Sequence, residues 1–282
     1  PTPSMKAVSF HSPCYNKKRK GAAMDTKTVL KSGGILRVTD TYLGISFEKE
    51  RFSLSTAIFG GGFKKINHAV NQKLTVFYPS PEKFPGGSVS EYLRLSLIDH
   101  GYAPEKSSSL LTAAKMEWHS HKTFCYHDLL LDAVTTGGVE KTAARAGSAP
   151  LYEESSGKFA PVGTINIIIT VNGSLPEWTM VRSLISITEG KTAALQDLGI
   201  ADVNTGAVAT GTCTDGVTLI CDPNGPVYTD AGTFSVLGAL LAQAAYQTVF
   251  DCLETYDQPW NQSPLISTPV PVDLDLLKHP LS

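Results

Sequence analysis

The run Gly163-Thr164-Ile165-Asn166-Ile167-Ile168-Ile169-Thr170-Val171 constrains the fold of this chain more than any other segment. Read as a strand, it places Ile165, Ile167, Ile169 and Val171 on one face, and Asn166, Ile168 and Thr170 on the other. A strand that is apolar on both faces belongs in a sheet covered on both sides. The chain is therefore expected to be layered. The segments downstream of the run agree. Ser174-Leu175-Pro176-Glu177 has the capping-box pattern that satisfies orphan N–H groups at a helix start. Val181, Leu184, Ile185, Thr188, Thr192 and Leu195 then recur at helical spacing, and Gly199 can end the helix. A second long helix, from about Phe234 to Thr255, is apolar nearly all round and reads as buried.

The earlier part of the chain reads mainly as strands. Gly34 to Val38 and Tyr42 to Phe47 suggest a hairpin, with a third strand from Phe52 to Phe59. Leu74 to Tyr78, Ser109 to Lys115 and Leu129 to Val134 read as further strands. Ser88 to His100 reads as a helix stopped by Gly101, and Gly137-Gly138-Val139 as the opening of a short alanine-rich helix ending near Gly147. The first strands cannot bury both faces alone, so a single domain is expected. Its fold class is α+β or layered α/β, with mixed sheets covered by long helices. A four-layer α-β-β-α arrangement is compatible with long helices flanking apolar strands. Residues 1–25 read as an irregular arm and 258–282 as a proline-rich strap.

Composition removes several functions. The formal net charge of −2 offers no basic excess to hold a polyanion, which argues against nucleic acid. The one basic run, Lys17-Lys18-Arg19-Lys20, lies in the polar arm. No apolar run approaches the roughly 20 residues that span a bilayer, and the first residues carry no signal-peptide apolar region. The cysteines form no CxxC pair. The chain reads as cytoplasmic with reduced thiols.

Chemistry is concentrated in Ala209-Thr210-Gly211-Thr212-Cys213-Thr214-Asp215-Gly216, between the apolar runs Ala207-Val208 and Val217 to Cys221. Hydroxyls, a thiol and a carboxylate crowd there, and the glycines admit close backbone approach. An ordinary turn is shorter and is built of Gly, Asn and Asp.

With that loop, several other segments resemble one family. They are Leu54-Ser55-Thr56-Ala57 with Gly60-Gly61-Gly62, Thr112-Ala113-Ala114, Thr136-Gly137-Gly138-Val139 with Ala144-Arg145-Ala146-Gly147, Gly163 to Ile167, Thr188-Glu189-Gly190-Lys191-Thr192-Ala193-Ala194-Leu195, and Ala231-Gly232-Thr233 with Leu237-Gly238. In order and interval they resemble the adenosylcobinamide amidohydrolase family, over roughly residues 30–250. Cys213 stands where the family often has Gly, and Gly190 where it often has Ala. The stretch from Trp118 to His127 has no counterpart in that pattern, and reads as a polar hairpin tip.

The resemblance implies hydrolysis of the aminopropanol amide of adenosylcobinamide to adenosylcobyric acid, within corrinoid salvage in a prokaryotic cytoplasm. It implies a small-molecule corrinoid as substrate and no required cofactor, and is compatible with a homo-oligomer. It does not assign catalytic residues. Amide hydrolysis needs an activated nucleophile or water, donors for the oxyanion and a proton for the amine. Asp215, Thr212, Glu189, His68 and Asn166 are the catalytic candidates. Cys213 is discounted, since relatives manage with Gly. Glu189 and Lys191 lie two residues apart on a helix, so at most one reaches a shared site. Glu189 borders the expected apolar stripe and is the candidate base. Asn166, buried, must find partners or cost about 1–3 kcal/mol; it can donate to an oxyanion or a corrin amide, or equally fix a neighbouring loop. His68 can serve as acid, base or axial ligand to cobalt. A flat substrate rimmed with amides suits a groove of Gly- and Thr-rich loops. Its candidate lining is Gly60, Gly61, Gly62, Asn67, Gly137, Gly138, Thr164, Thr210, Gly211, Thr214 and Lys191. No residue is assigned to a metal, although His119, His121, Cys125 and His127 have spacing that a soft divalent ion accepts. Two other readings stand beside this one: a corrinoid-binding protein that has lost turnover, motivated by Gly190 and Cys213, and a metal-dependent amidase. No Gly-Ser or Gly-Thr step is placed for self-cleavage.

Overall fold

The computed structural model describes residues 23–139, 142–148 and 163–254. The basic run, most of both expected terminal segments and the loop before Gly163 lie outside the described residues. Strands β1 (Asp25–Val29), β2 (Ile35–Thr39), β3 (Tyr42–Ser55), β4 (Gly62–Lys73), β5 (Ser107–Thr112), β6 (Ser120–Tyr126), β7 (Leu129–Gly137), β8 (Ile165–Val171) and β9 (Gly216–Cys221) join helices α1 (Val89–Asp99), α2 (Glu177–Asp197) and α3 (Val236–Glu254). The order β1-β2-β3-β9-β8-β7-β6 runs across one hydrogen-bonded sheet, and β4 pairs with both β3 and β5.

β3 makes this sheet fold over on itself. Its first half pairs with β2 and its second half with β9, while β4 follows it along both halves. The β3–β4 register breaks between Ser46 and Arg51. A bulge of this kind bends and twists a strand pair. The two wings therefore face each other. Val134, Ile168 and Ile220 from β7, β8 and β9 share a core with Leu36, Leu43, Ile45 and Leu110 from β2, β3 and β5. On the far face of the first wing, Ile165, Ile167, Ile169 and Val171 pack with α2 and α3. On the far face of the second, Leu97 of α1 packs with Tyr42 and Val70. The layers are α, β, β, α, and β8 is buried on both faces as its sequence requires. α3 is long and apolar enough to cross a membrane, yet over half of its apolar window is buried inside the fold.

Local expectations fared unevenly. α1 starts where Ser88 accepts a hydrogen bond from Glu91 N–H, and Gly101 follows it at φ 81°. α2 begins after Pro176 without a side-chain cap, so Ser174 is not its cap. The expected strands 42–47 and 52–59 are one strand, and the glycine run turns into β4 instead of leading to a strand at 74–78. β6 is a full strand where a polar tip is expected. No helix forms at Thr142–Ser148, because Ala144 exchanges backbone hydrogen bonds with Gly211. The largest correction concerns α2. It buries Ser183, Ser186, Ile187, Gly190, Lys191, Ala194 and Leu195, while Val181 and Ile185 are exposed. The small residues win that face because they allow close approach. A Cβ on Gly190 would collide with the Ala242 carbonyl of α3.

Candidate active site

The loop from Gly199 to Gly216 is fixed before it reaches β9. Asp202 accepts from Asn204, Thr205 and Arg145 N–H and from the Ser148 hydroxyl. Those donors, led by Arg145 N–H, hold its carboxyl well below the usual range. Thr210 and Gly211 N–H both donate to the Ala144 carbonyl, and Thr210 Oγ1 accepts from Ala146 N–H at 2.8 Å. Thr210 and Gly211 thus anchor the loop. Cys213, at φ 73°, turns it in the left-handed region that favours glycine, and its side chain is exposed. Burial, then the carboxylates of Asp215 and Asp202, push its thiol up, which makes it a poor nucleophile.

Asp215 is the centre of the loop. Its Oδ1 accepts from Ile165 N–H at 3.0 Å and from the Thr212 hydroxyl. Its Oδ2 accepts from Thr212 N–H at 3.2 Å and from Lys191 Nζ, with which it forms an ion pair. The side chains of Lys191 and Asp215 are only 11% and 14% exposed. Gly211 makes the pair possible, since a Cβ there would fall on the Asp215 carboxylate and the ammonium. Thr214 Oγ1 donates to the Gly163 carbonyl and meets Thr164 Oγ1, both at 2.8 Å.

Beside this loop, a buried amide chain joins the two wings. Asn166 Nδ2 donates to Asn71 Oδ1 at 2.8 Å and to the Leu111 carbonyl at 2.9 Å. Asn71 Nδ2 donates to Thr136 Oγ1 at 2.8 Å. The Leu111 carbonyl can only accept, so the atom of Asn166 facing it is the NH2 group. Both its protons are engaged. Asn166 therefore has no donor left for an oxyanion or a corrin amide; its amide group ties neighbouring segments together, and it offers only its oxygen.

Asn166, Thr164, Thr214, Asp215 and Gly216 form the polar floor of a cleft of about 350 Å³. The other wall is apolar and includes Ile58, Phe77, Tyr78, Phe84, Val89 and Leu110. Ile58 and Phe77 are exposed at its mouth. A pocket of this size with an apolar wall and a few convergent polar groups has the make-up of a small-molecule site.

Several candidates are not brought there. Glu189 is exposed on α2 and Lys191 is buried, so the expected helix face points to the wrong member of the pair. His68 faces away on β4, 3.1 Å from Ser46 Oγ and against Tyr102. Gly60 and Gly62 turn β3 into β4 at φ 68° and 75°, with Gly61 between them against the Ala57 carbonyl. Asn67 Nδ2 donates to the Phe47 carbonyl at 3.2 Å. Gly137 abuts Cys252 and Leu253 of α3, and Gly138 N–H donates to the Thr164 carbonyl. His121 Nε2 lies 3.0 Å from the buried Asp132, and His119 Nδ1 meets the Met116 carbonyl. Among the described residues, no three His, Cys, Asp or Glu side chains converge as a metal site. Sequence reasoning misses Asn71, Thr136 and the wall around Phe77 and Phe84. Asn71 is hidden because its polar strand, Lys64 to Lys73, shows no apolar alternation.

The adenosylcobinamide amidohydrolase family pattern matches residues 27–260. An uncharacterized protein of Methanocaldococcus jannaschii is 29% identical over 80% of this chain and 90% of its own length. The adenosylcobinamide amidohydrolase of Halobacterium salinarum is 24% identical over 63% of this chain and 72% of its own. Among solved structures, a protein from Pyrococcus horikoshii OT3 aligns at a TM-score of 0.44 and 9% identity, over 82% of this chain and 83% of that one. By the family match over most of its length, this chain belongs to the adenosylcobinamide amidohydrolases, hydrolases that act on amides.

Proposed function

We propose that the chain hydrolyses the aminopropanol amide of adenosylcobinamide, giving adenosylcobyric acid and aminopropanol. The observation that carries this reading is the cleft, with its exposed apolar wall opposite a floor of Thr164, Asn166, Thr214 and Asp215. A corrinoid has an extended flat body for the first and amides for the second. Family membership supports this choice of substrate.

In this mechanism Asp215 is the general base. All its lone-pair positions are used at rest, so it accepts a proton from water only when one donor turns away. The Thr212 hydroxyl can rotate; the two backbone N–H groups cannot. Lys191 compensates the carboxylate charge throughout. The water oxygen bonds to the amide carbon, the C–N bond breaks, and the proton passes to the departing amine. The corrinoid is the only cofactor-like group required, and the setting is the cytoplasm of a prokaryote.

Purified protein mixed with adenosylcobinamide, in the presence of a chelator, tests this by mass spectrometry. Release of adenosylcobyric acid and aminopropanol is expected. A shifted corrin spectrum without product would replace the enzyme by a corrinoid-binding protein. Activity restored only by added metal would point to a metal-dependent amidase.

A further inference from the structure

We propose that Asn166 reads the N–H of the scissile bond through its Oδ1, and so selects amides over esters. The proposal rests on the amide-hydrolase reading of the cleft. Asn166 is 2% exposed, and Asn71 Oδ1 and the Leu111 carbonyl take both protons of its NH2 group. Among the described residues no donor is directed at its Oδ1. That oxygen lies above Gly216, its register partner on β9. A Cβ on Gly216 would stand 2.7 Å from Asn166 Oδ1 and 2.6 Å from Leu110 Cδ2. The missing side chain leaves the oxygen uncovered toward the cleft that both residues line.

An acceptor open to the cleft with no donor from the protein is free to take one from the ligand. A secondary amide carries one N–H beside its carbonyl carbon; an ester has none. The same contact strengthens along the reaction. As the C–N bond breaks and the nitrogen gains the proton released by water, its N–H groups become charged donors, and hydrogen bonds from charged donors are stronger. Binding that improves toward the transition state raises kcat as well as lowering KM. Asn71 is a positioning residue in this scheme, since it and Leu111 fix which end of the Asn166 amide faces the cleft.

The test compares kcat/KM for adenosylcobinamide and for its ester counterpart, in which oxygen replaces the amide N–H. Wild type, Asn166→Ala and Gly216→Ala are measured, with thermal melts as a check of folding. Asn166→Ala is expected to lose about 10- to 100-fold on the amide and little on the ester. Gly216→Ala crowds Oδ1 and presses Asn166 and Leu110 aside, and is expected to show the same selective loss. It decides the matter where Asn166→Ala does not fold. Equal losses on amide and ester in a folded variant would overturn the role of Asn166 while leaving the amidohydrolase intact. Turnover of neither compound by wild type would remove the reading on which the proposal stands.

Discussion

At the scale of single residues, the site loop carries two opposite energetic features. Cys213 holds a left-handed φ of 73°, where a Cβ costs about 1–2 kcal/mol. Cys213→Gly is therefore expected to raise stability by roughly 1 kcal/mol in urea unfolding without loss of activity. A destabilised variant would show that the thiol makes a contact of its own. Lys191 and Asp215 behave in the other direction. Removing one partner of a largely buried pair leaves the other uncompensated, so Lys191→Met is expected to cost about 3–5 kcal/mol by the same measurement. Thr210 to Asp215 stood out in the sequence because hydroxyls and a carboxylate do not gather in an ordinary turn, and Thr214 and Asp215 do line the cleft. The polarity of Asn166 was not legible, because it depends on Asn71 and Leu111, which lie far away in sequence. Cys213 and Gly190, which motivated the reading as a binding protein without turnover, each have a structural place. One fills a backbone conformation and the other a helix contact, and neither takes a polar group from the cleft.

At the scale of elements, α2 shows why periodicity misled. The conspicuous large residues Val181 and Ile185 point outward, and a face of serine, glycine and alanine packs inward. Large apolar residues mark a helix face only where neighbouring elements leave room for them. Here α3 lies so close that Gly190 cannot carry a Cβ. Gly190→Ala would gain about 1 kcal/mol of helix propensity. Against this stands overpacking against backbone, which costs about 1–3 kcal/mol. A net loss of melting temperature is expected, and a gain would show that the two helices can separate freely. The same rotation of the helix explains why Lys191, and not Glu189, reaches Asp215. β8 was legible throughout because both its faces are apolar. β4 was not, since its inward Asn71 and outward His68 break the alternation that identifies strands.

At the scale of the whole molecule, the layers rather than any single strand set the pH response. His68 lies on β4, His100 ends α1 and stacks on Tyr42 of β3, and His119 lies beside β6. Burial lowers the pKa of all three. Lys106 adds to the effect at His68; at His119 the Met116 carbonyl opposes it and His121 assists, and at His100 Asp99 opposes it and Arg37 assists. The native rings thus refuse protons that the unfolded chain accepts near pH 6.5. Stability from this source is full above that value and falls as pH drops through it toward the lowered native values. A lower melting temperature at pH 5.5 than at 7.5 is expected, and replacing the three with Gln should flatten the slope. Asp132 titrates separately. Burial raises its carboxyl, but His121, Thr123 and Ser32 together hold it below its ordinary value, so its contribution is lost only in more acidic solution, below about pH 4.

The folded-over sheet brings β8, β9 and β5 together at one end, and the cleft opens there, over Asp215. The most direct test is side-by-side turnover of adenosylcobinamide by wild type and Asp215→Asn, with corrinoid binding measured by absorption. Wild type should release aminopropanol. The variant, less stable for want of the Lys191 pair but still folded by a thermal melt, should retain corrinoid binding and turn it over about 10²- to 10⁴-fold more slowly. Undiminished turnover by Asp215→Asn, or none by wild type, would contradict the assignment of this floor as the active site.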